Sequence, residues 1–379
     1  MTTALTASAW RQAAIVMAWT LAWLAVVDVG VNLAFGSRAD GTGQGSALNR
    51  YFEYGRSVEG KLKRMVAADP RAGGQMISSG WIDPAELIAK PAQAQIGHDL
   101  LMAAYGPSFA LNAANEAAVQ DARITVRGVG GPNAPPSHSY AAYKTDAPLR
   151  RADVVVFGVL SSGVPLMGSM SGLVWLFESP APYTFPRYRV SGDALVEELP
   201  TLRTEADFRR AFTSQPAEWI AFKGQLRRSD RGYDRFTFDA SIADASSIAR
   251  LVRRGWVAHR QPYEEGVYDA LTGFDPESEE VRALKAILID LRRRTCERGE
   301  RLVVLLLHTQ RQSDHLHRVL ESTLTAQRID YVSTHTLFSA NDARNFVPDG
   351  HYTTRANADL GKALRTLVRG SKGSAGAGC

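Results

Sequence analysis

Three short apolar runs constrain this chain more than anything else in it: Leu100–Tyr105 (LLMAAY), Ala152–Leu160 (ADVVVFGVL) and Arg301–Leu307 (RLVVLLL). Runs of this length without polar alternation mark strands buried on both faces, as in parallel sheets. Parallel neighbours cannot be joined by a tight turn and need a crossover, usually a helix. Helical patterns stand in the right places. Phe109, Leu111, Ala114 and Ala118 follow the first run; Val281, Leu284, Ile287, Leu288 and Leu291 share one face of Ser278–Glu297; His317–Ala326 follows the third run. Arg123–Arg127 (RITVR) and Asp330–Ser333 (DYVS) supply two further strands, and a last helix runs from about Thr354 to Val368. The expectation is an α/β chain with a doubly wound parallel sheet of right-handed βαβ units.

Ligands of such sheets bind beyond the carboxyl ends of the strands, so the residues there are the candidates for chemistry. The first run ends in Gly106-Pro107-Ser108. A serine at a strand-to-helix turn either caps the helix or, with the free N–H groups of the helix N-terminus beside it, serves as a nucleophile. The second strand runs into Gly128–Pro136 (GVGGPNAPP), too rich in glycine and proline for regular structure. Gly130 and Gly131 there either let backbone approach a ligand or belong to a plain connection. Ser161 and Ser162 end the third strand. Late in the chain Asp349-Gly350-His351 is either an Asp-Gly turn with an incidental histidine or an oriented base, the carboxylate holding the imidazole that takes a proton from a serine. Ser57, in Gly55-Arg56-Ser57, imitates a serine motif, but no apolar strand precedes it and it is read as helical. His138 is read as a helix-start residue. His308, His315 and His317 lack zinc-site spacing and are read as solvated or capping.

Ala13–Phe35 is apolar enough to cross a bilayer, with Asp28 its one charge. Asp28 either pairs with another membrane helix or is tolerated near the end of the segment. A signal cleaved after Ser37-Arg38-Ala39 is the alternative to an anchor. Arg11 on one side and Arg38 and Arg50 on the other leave orientation nearly balanced. Ser169 to about Gly273 differs in character, with Trp175, Phe177 and the string Ser179–Tyr188 (SPAPYTFPRY). It reads as an insertion whose aromatics either line a sugar groove or form its own small core. The expected divisions are an anchor (1–35), a linker (36–50), a first part of the α/β domain (51–168), the insertion or cap (169–273), a second part (274–369) and a flexible tail (370–379). With 45% hydrophobic and 22% charged residues the composition is ordinary for globular chains, and a net charge of +5 spread along it carries no nucleic-acid signature. Two cysteines, Cys296 and Cys379, give neither a disulfide framework nor a cysteine metal site.

The order Ser108, glycine loop, third-strand loop and Asp349-x-His351 over an α/β sheet resembles the SGNH (GDSL-like) hydrolase superfamily. It is most similar to the membrane-anchored or exported branch that handles O-acetyl groups on exopolysaccharides. The resemblance covers roughly 98–164 and 302–369. Tyr105-Gly106-Pro107-Ser108-Phe109 stands where that family has Gly-Asp-Ser-Phe/Leu. It implies Ser108 as nucleophile, His351 as base, Asp349 as the orienting acid and Gly130 or Gly131 as an oxyanion donor, with no metal or organic cofactor. It also implies a carbohydrate O-acyl substrate, processed by esterase or transferase chemistry, and a periplasmic body on a single-pass inner-membrane anchor. Two departures stand out. Pro107 replaces the usual Asp, and Leu160 occupies the place of the Asn in Gly-x-Asn, leaving Ser161 or Ser162 to compensate. These departures fit a second possibility, an impaired accessory subunit of a membrane polysaccharide-synthesis complex. A lipid or thioester hydrolase is a third.

Overall fold

The computed structural model describes residues 7–35, 47–67, 79–192, 194–260 and 262–370. The linker residues 36–46 and tail residues 371–379 lie outside them. The chain divides into two compact units. One holds the described residues of 1–77, 176–180 and 233–261; the other holds those of 78–175, 181–232 and 262–379. Residues 51–67 thus belong with the first unit, apart from the sheet.

The larger unit is built on five parallel strands: β1 (Leu100–Gly106), β2 (Ile124–Gly130), β3 (Val154–Leu160), β8 (Arg301–Leu307) and β9 (Asp330–Ser333), in the order β2-β1-β3-β8-β9. The three apolar runs occupy the three central positions, and β1 and β3 are buried along their whole length. The two strands with more polar sequences, β2 and β9, take the edges, where only part of each need be covered. Burying one Val or Leu of a central strand contributes roughly 1.5–3 kcal/mol, so exchanging a central run with an edge strand would forfeit several such terms.

Helices cover both faces. Ser108–Val119 and Thr354–Gly370 pack on one side with Met102, Val156 and Leu305. Pro136–Asp146, Glu279–Glu297 and His315–Ala326 pack on the other with Leu101, Val155 and Leu306. Strand order reverses between β1 and β3, so the switch point of this sheet lies beside the turn after β1.

One expectation changes, and one open reading is resolved. β2 continues through Gly130, so Gly128–Gly130 is strand and not loop. Its pairing with Ala104–Gly106 of β1 holds these glycines extended. The aromatic string is core: Tyr183 and Phe185 are buried and pack with Trp175 and His138. A hairpin, β4 (Arg187–Ser191) with β5 (Ala194–Glu198), follows it, and a short one, β6 (Tyr268–Asp269) with β7 (Gly273–Phe274), precedes Glu279–Glu297.

One buried ionic cluster ties β2 to its helix. Arg127 donates to Asp146 and to the carbonyls of Leu87, Lys90 and Pro91, while Arg150 meets Glu300 and the Tyr105 hydroxyl. Every one of these charges is paired, as burial requires.

In the smaller unit the helix Ala7–Phe35 contains a span, Ala9–Ala34, long and apolar enough to cross a membrane. Ser57 is not within a helix. It caps Val58–Ala67, its hydroxyl accepting from Gly60 N at 3.0 Å and donating to Asp244 at 2.6 Å. Asp28 accepts from the backbone N–H of Ile248 at 2.9 Å, which gives the charge in the apolar segment a partner on another helix, Ser247–His259.

Candidate active site

The nucleophile candidate stands at the switch point. Pro107 holds the N-cap position of Ser108–Val119 and has no side-chain oxygen to cap with, so Ser108 is the first helical residue and not the cap. Helical hydrogen bonding begins with the N–H groups of Ala110 and Leu111, both donating to the Pro107 carbonyl at 2.9 and 3.3 Å. The N–H groups of Ser108 and Phe109 therefore have no acceptor within the helix. They lie where the helix dipole also favours negative charge.

Glycines let this turn sit close to the sheet. A Cβ on Gly158 would stand 2.3 Å from the Ala110 Cβ, and one on Gly106 would stand 2.8 Å from it. A Cβ on Gly130, which lies in register beside Gly106, would come within 2.3 Å of the Gly106 carbonyl oxygen. Any side chain at these positions would lift the helix that carries Ser108.

The imidazole beside Ser108 arrives from the far end of the chain. Phe346 and Tyr352 form an antiparallel bridge that pinches off a short loop. Within it the Val347 N–H donates to the His351 carbonyl at 2.8 Å and the Gly350 N–H to the Val347 carbonyl at 2.9 Å. Gly350 has φ +88°, a conformation that favours glycine. The loop aims His351 at the sheet, where its Nε2 meets the Ser108 Oγ at 2.7 Å. On the other ring nitrogen, Nδ1 lies 3.1 Å from the Asp349 carboxylate. Asp349 also accepts the His351 backbone N–H at 3.0 Å; that bond first, and the imidazole second, hold its carboxyl below the usual carboxylate range. With a carboxylate beside Nδ1 and a hydroxyl beside Nε2, the arrangement favours the tautomer with Nδ1 protonated.

Three further residues support the His351 loop. Phe109 stacks on the His351 ring at 4.8 Å and 12°, and meets Tyr352 edge-on. The buried Tyr352 hydroxyl donates to the His308 carbonyl at 2.6 Å. His308, at the end of β8, is itself buried, with Nδ1 2.7 Å from the Thr334 hydroxyl; burial, with a smaller contribution from His335, pushes its imidazole down to about 4. It is a neutral support under Tyr352. The sequence reading had Phe109 as a helix-face residue and His308 as solvated or capping. The aromatic directly following each candidate residue, Phe109 after Ser108 and Tyr352 after His351, was the available signal.

The expected oxyanion residues distribute differently. Gly130 shares the strand edge with Gly106. Gly131 packs against Gly80 and the His138 ring. Ser161 is buried, and its hydroxyl accepts the Thr309 N–H at 2.9 Å, tying the ends of β3 and β8 together. Ser162 is half-buried in the same short turn. Leu160 lies in the core. His138 is buried, with Nε2 2.7 Å from the Gly80 carbonyl; His315 and His317 meet the hydroxyls of Tyr268 and Tyr331. No group of three or more histidine, cysteine or acidic side chains able to hold a metal exists among the described residues.

Fold and site together describe an α/β protein with a serine–imidazole–carboxylate array at the switch point of a five-stranded parallel sheet. No family model matches the chain, and no curated protein matches it in sequence.

Proposed function

We propose that this chain is an SGNH-like serine O-acyl esterase or acyltransferase acting on O-acylated carbohydrate, its catalytic unit held outside the cytoplasm by the N-terminal helix. The 2.7 Å contact between Ser108 Oγ and His351 Nε2, with Asp349 on the opposite ring nitrogen, carries the reading. A nucleophile, a base within hydrogen-bond reach and an orienting group are the parts acyl transfer needs. Ser108 attacks the ester carbonyl as its proton passes to His351 Nε2, and Asp349 stabilises the imidazolium. The N–H groups of Ser108 and Phe109 receive the oxyanion. Collapse expels the sugar hydroxyl, which takes the proton back from His351 and leaves an acyl-serine. Water or a second sugar hydroxyl resolves that intermediate by the same steps in reverse. The reaction calls for no cofactor. The resemblance stated above supplies the carbohydrate and the periplasmic side; the openness of the site, with Asp349 69% and His351 40% exposed, suits a bulky polymeric substrate.

The same observations favour one second reading. With Leu160 in the core and the Ser161 hydroxyl buried against Thr309, whose N–H it accepts, the third-strand loop has no amide side chain in the place of the Gly-x-Asn asparagine. Loss of one such donor costs about 3 kcal/mol of transition-state stabilisation in other enzymes. A chain so weakened could serve as a binding subunit of a polysaccharide-synthesis complex. Treating the full chain with a serine-directed fluorophosphonate and a chromogenic acetyl ester separates the two. Labelling and hydrolysis that vanish in Ser108→Ala support the enzyme. A wild-type chain that takes no label points to the binding subunit.

A further inference from the structure

The helix Ser247–His259 is turned inside out relative to a helix on a water-facing surface. Two of its three arginines are buried. Arg253 is fully buried, donating to Asp244, to the Gly55 carbonyl and to the Phe236 carbonyl, and Arg250 reaches Glu53 and the Asp244 carbonyl. Three of its large apolar residues are exposed. Leu251, Val252 and Trp256 are exposed along one face, Val252 at 59%, and Ile242 just before the helix is 93% exposed. Helices on soluble surfaces show the opposite distribution. A contiguous apolar face of this kind marks an interaction surface.

What covers the face follows from where the helix begins. Its N-terminus is fixed to the apolar span itself: Asp28 Oδ1 accepts the Ile248 N–H at 2.9 Å, and Asn32 Oδ1 accepts the Ser247 hydroxyl at 3.0 Å. Asp28 and Asn32 lie one turn apart, and the Asn32 amide donates back to the Asp28 carbonyl, so both acceptors are held on one side of the span. Six residues separate Asp28 from the span's end at Ala34, about 9 Å along a helix axis. Interfacial helices bury their apolar face to about that depth, 5–10 Å into the boundary between headgroups and acyl chains. Trp256, whose ring lies 5.5 Å from the Arg260 guanidinium, is the amphipathic kind of residue that favours this zone.

We infer that Ile242 and the outer face of Ser247–His259 form a second, in-plane membrane contact in which the lipid boundary is the occupant, and that Asp28 and Asn32 fix it to the transmembrane helix. The inference rests on the reading of Ala9–Ala34 as a membrane span, and goes beyond it by assigning a lipid-binding surface to a segment remote in sequence. It accounts for a carboxylate inside the span and for the burial of two arginines beneath an exposed apolar face.

The test uses the full chain in phosphatidylcholine–phosphatidylglycerol vesicles containing a phospholipid with a photoactivatable diazirine high on one acyl chain. Adducts are mapped by mass spectrometry after irradiation. The expected result is lipid adducts on both Ala9–Ala34 and 242–256. Adduct yield at 242–256 should fall several-fold in Asp28→Ala/Asn32→Ala while the span keeps its own, and it should fall similarly in Val252→Glu/Trp256→Glu. Adducts on the span alone in the wild-type chain overturn the inference and leave the anchor standing; the face is then covered by protein, a second copy or another chain. Adducts on neither segment overturn the anchor reading together with the inference.

Discussion

Phe109 and Asp349 approach His351 from different sides, and they do different work. Phe109 lies flat against the ring and limits its rotation. Removing that face in Phe109→Ala should lower kcat about 10-fold with KM little changed, because the base, not substrate binding, loses its alignment. Steady-state kinetics on an acetyl ester would decide it; an effect confined to KM would place Phe109 in the substrate contact instead. Asp349 is largely exposed, so its charge acts through a wet environment. Asp349→Asn should therefore cost about 10²-fold in kcat, short of the roughly 10⁴-fold seen where such a carboxylate is buried. Ser108, Asp349 and His351 were readable in the sequence as candidates because a serine, an imidazole and a carboxylate at such turns are chemically distinctive, and the structure brings the three side chains together. The oxyanion side was not. Whether the Ser161 hydroxyl faces a substrate or the Thr309 N–H depends on how the loop after β8 lies beside that after β3. That adjacency exists only in the folded sheet, between residues 148 apart in the chain.

Elements position these groups by how closely they can approach one another. Helix Ser108–Val119 rests on Gly106 and Gly158 through Ala110, so Gly158→Ala forces helix and strand apart. The expected cost is about 1–3 kcal/mol of stability with a larger loss of activity, since Ser108 moves with its helix. Chemical denaturation paired with ester kinetics checks both parts; unchanged activity in a destabilised protein would remove the glycines from the site's construction. Arg127→Met is the contrasting case. It leaves Asp146 buried beside Tyr105 without its main partner, and a loss of about 3–5 kcal/mol is expected in the same denaturation assay. The sheet's central strands could be recognised from their apolar runs alone. The extension of β2 through Gly128–Gly130 could not, because glycine composition signals a loop unless a partner strand holds it extended. The aromatic string was ambiguous for a related reason: a groove and a core use the same side chains. Packing of Tyr183 and Phe185 around His138 is decided by tertiary contact.

At the scale of the whole molecule, buried histidines give stability a pH dependence whose sign can be worked out. Burial pushes His138 down to about 4. The unfolded chain, with an ordinary imidazole near 6.5, binds the proton more readily than the folded one. The stability held above pH 6.5 is thus lost progressively as pH falls toward 4, about 3 kcal/mol for His138 by proton linkage. His308 acts in the same direction. Asp230, pushed up to about 6 by burial, acts in the opposite one, regaining stability as pH falls through that value. Comparing wild type with His138→Gln by denaturation at pH 7 and pH 4 isolates the first contribution, and the difference between the two proteins should shrink by about 3 kcal/mol at the lower pH. The same large scale governs when Ser108 and His351 meet. Gly361 in Thr354–Gly370 packs directly on Glu116 and Ala117 of the helix that begins with Ser108. That contact seats the loop bearing His351. On the proposed reading, a partly folded chain with its strands already aligned but this last helix undocked would hold Ser108 without His351, so reactivity toward an acyl ester would wait until assembly is finished.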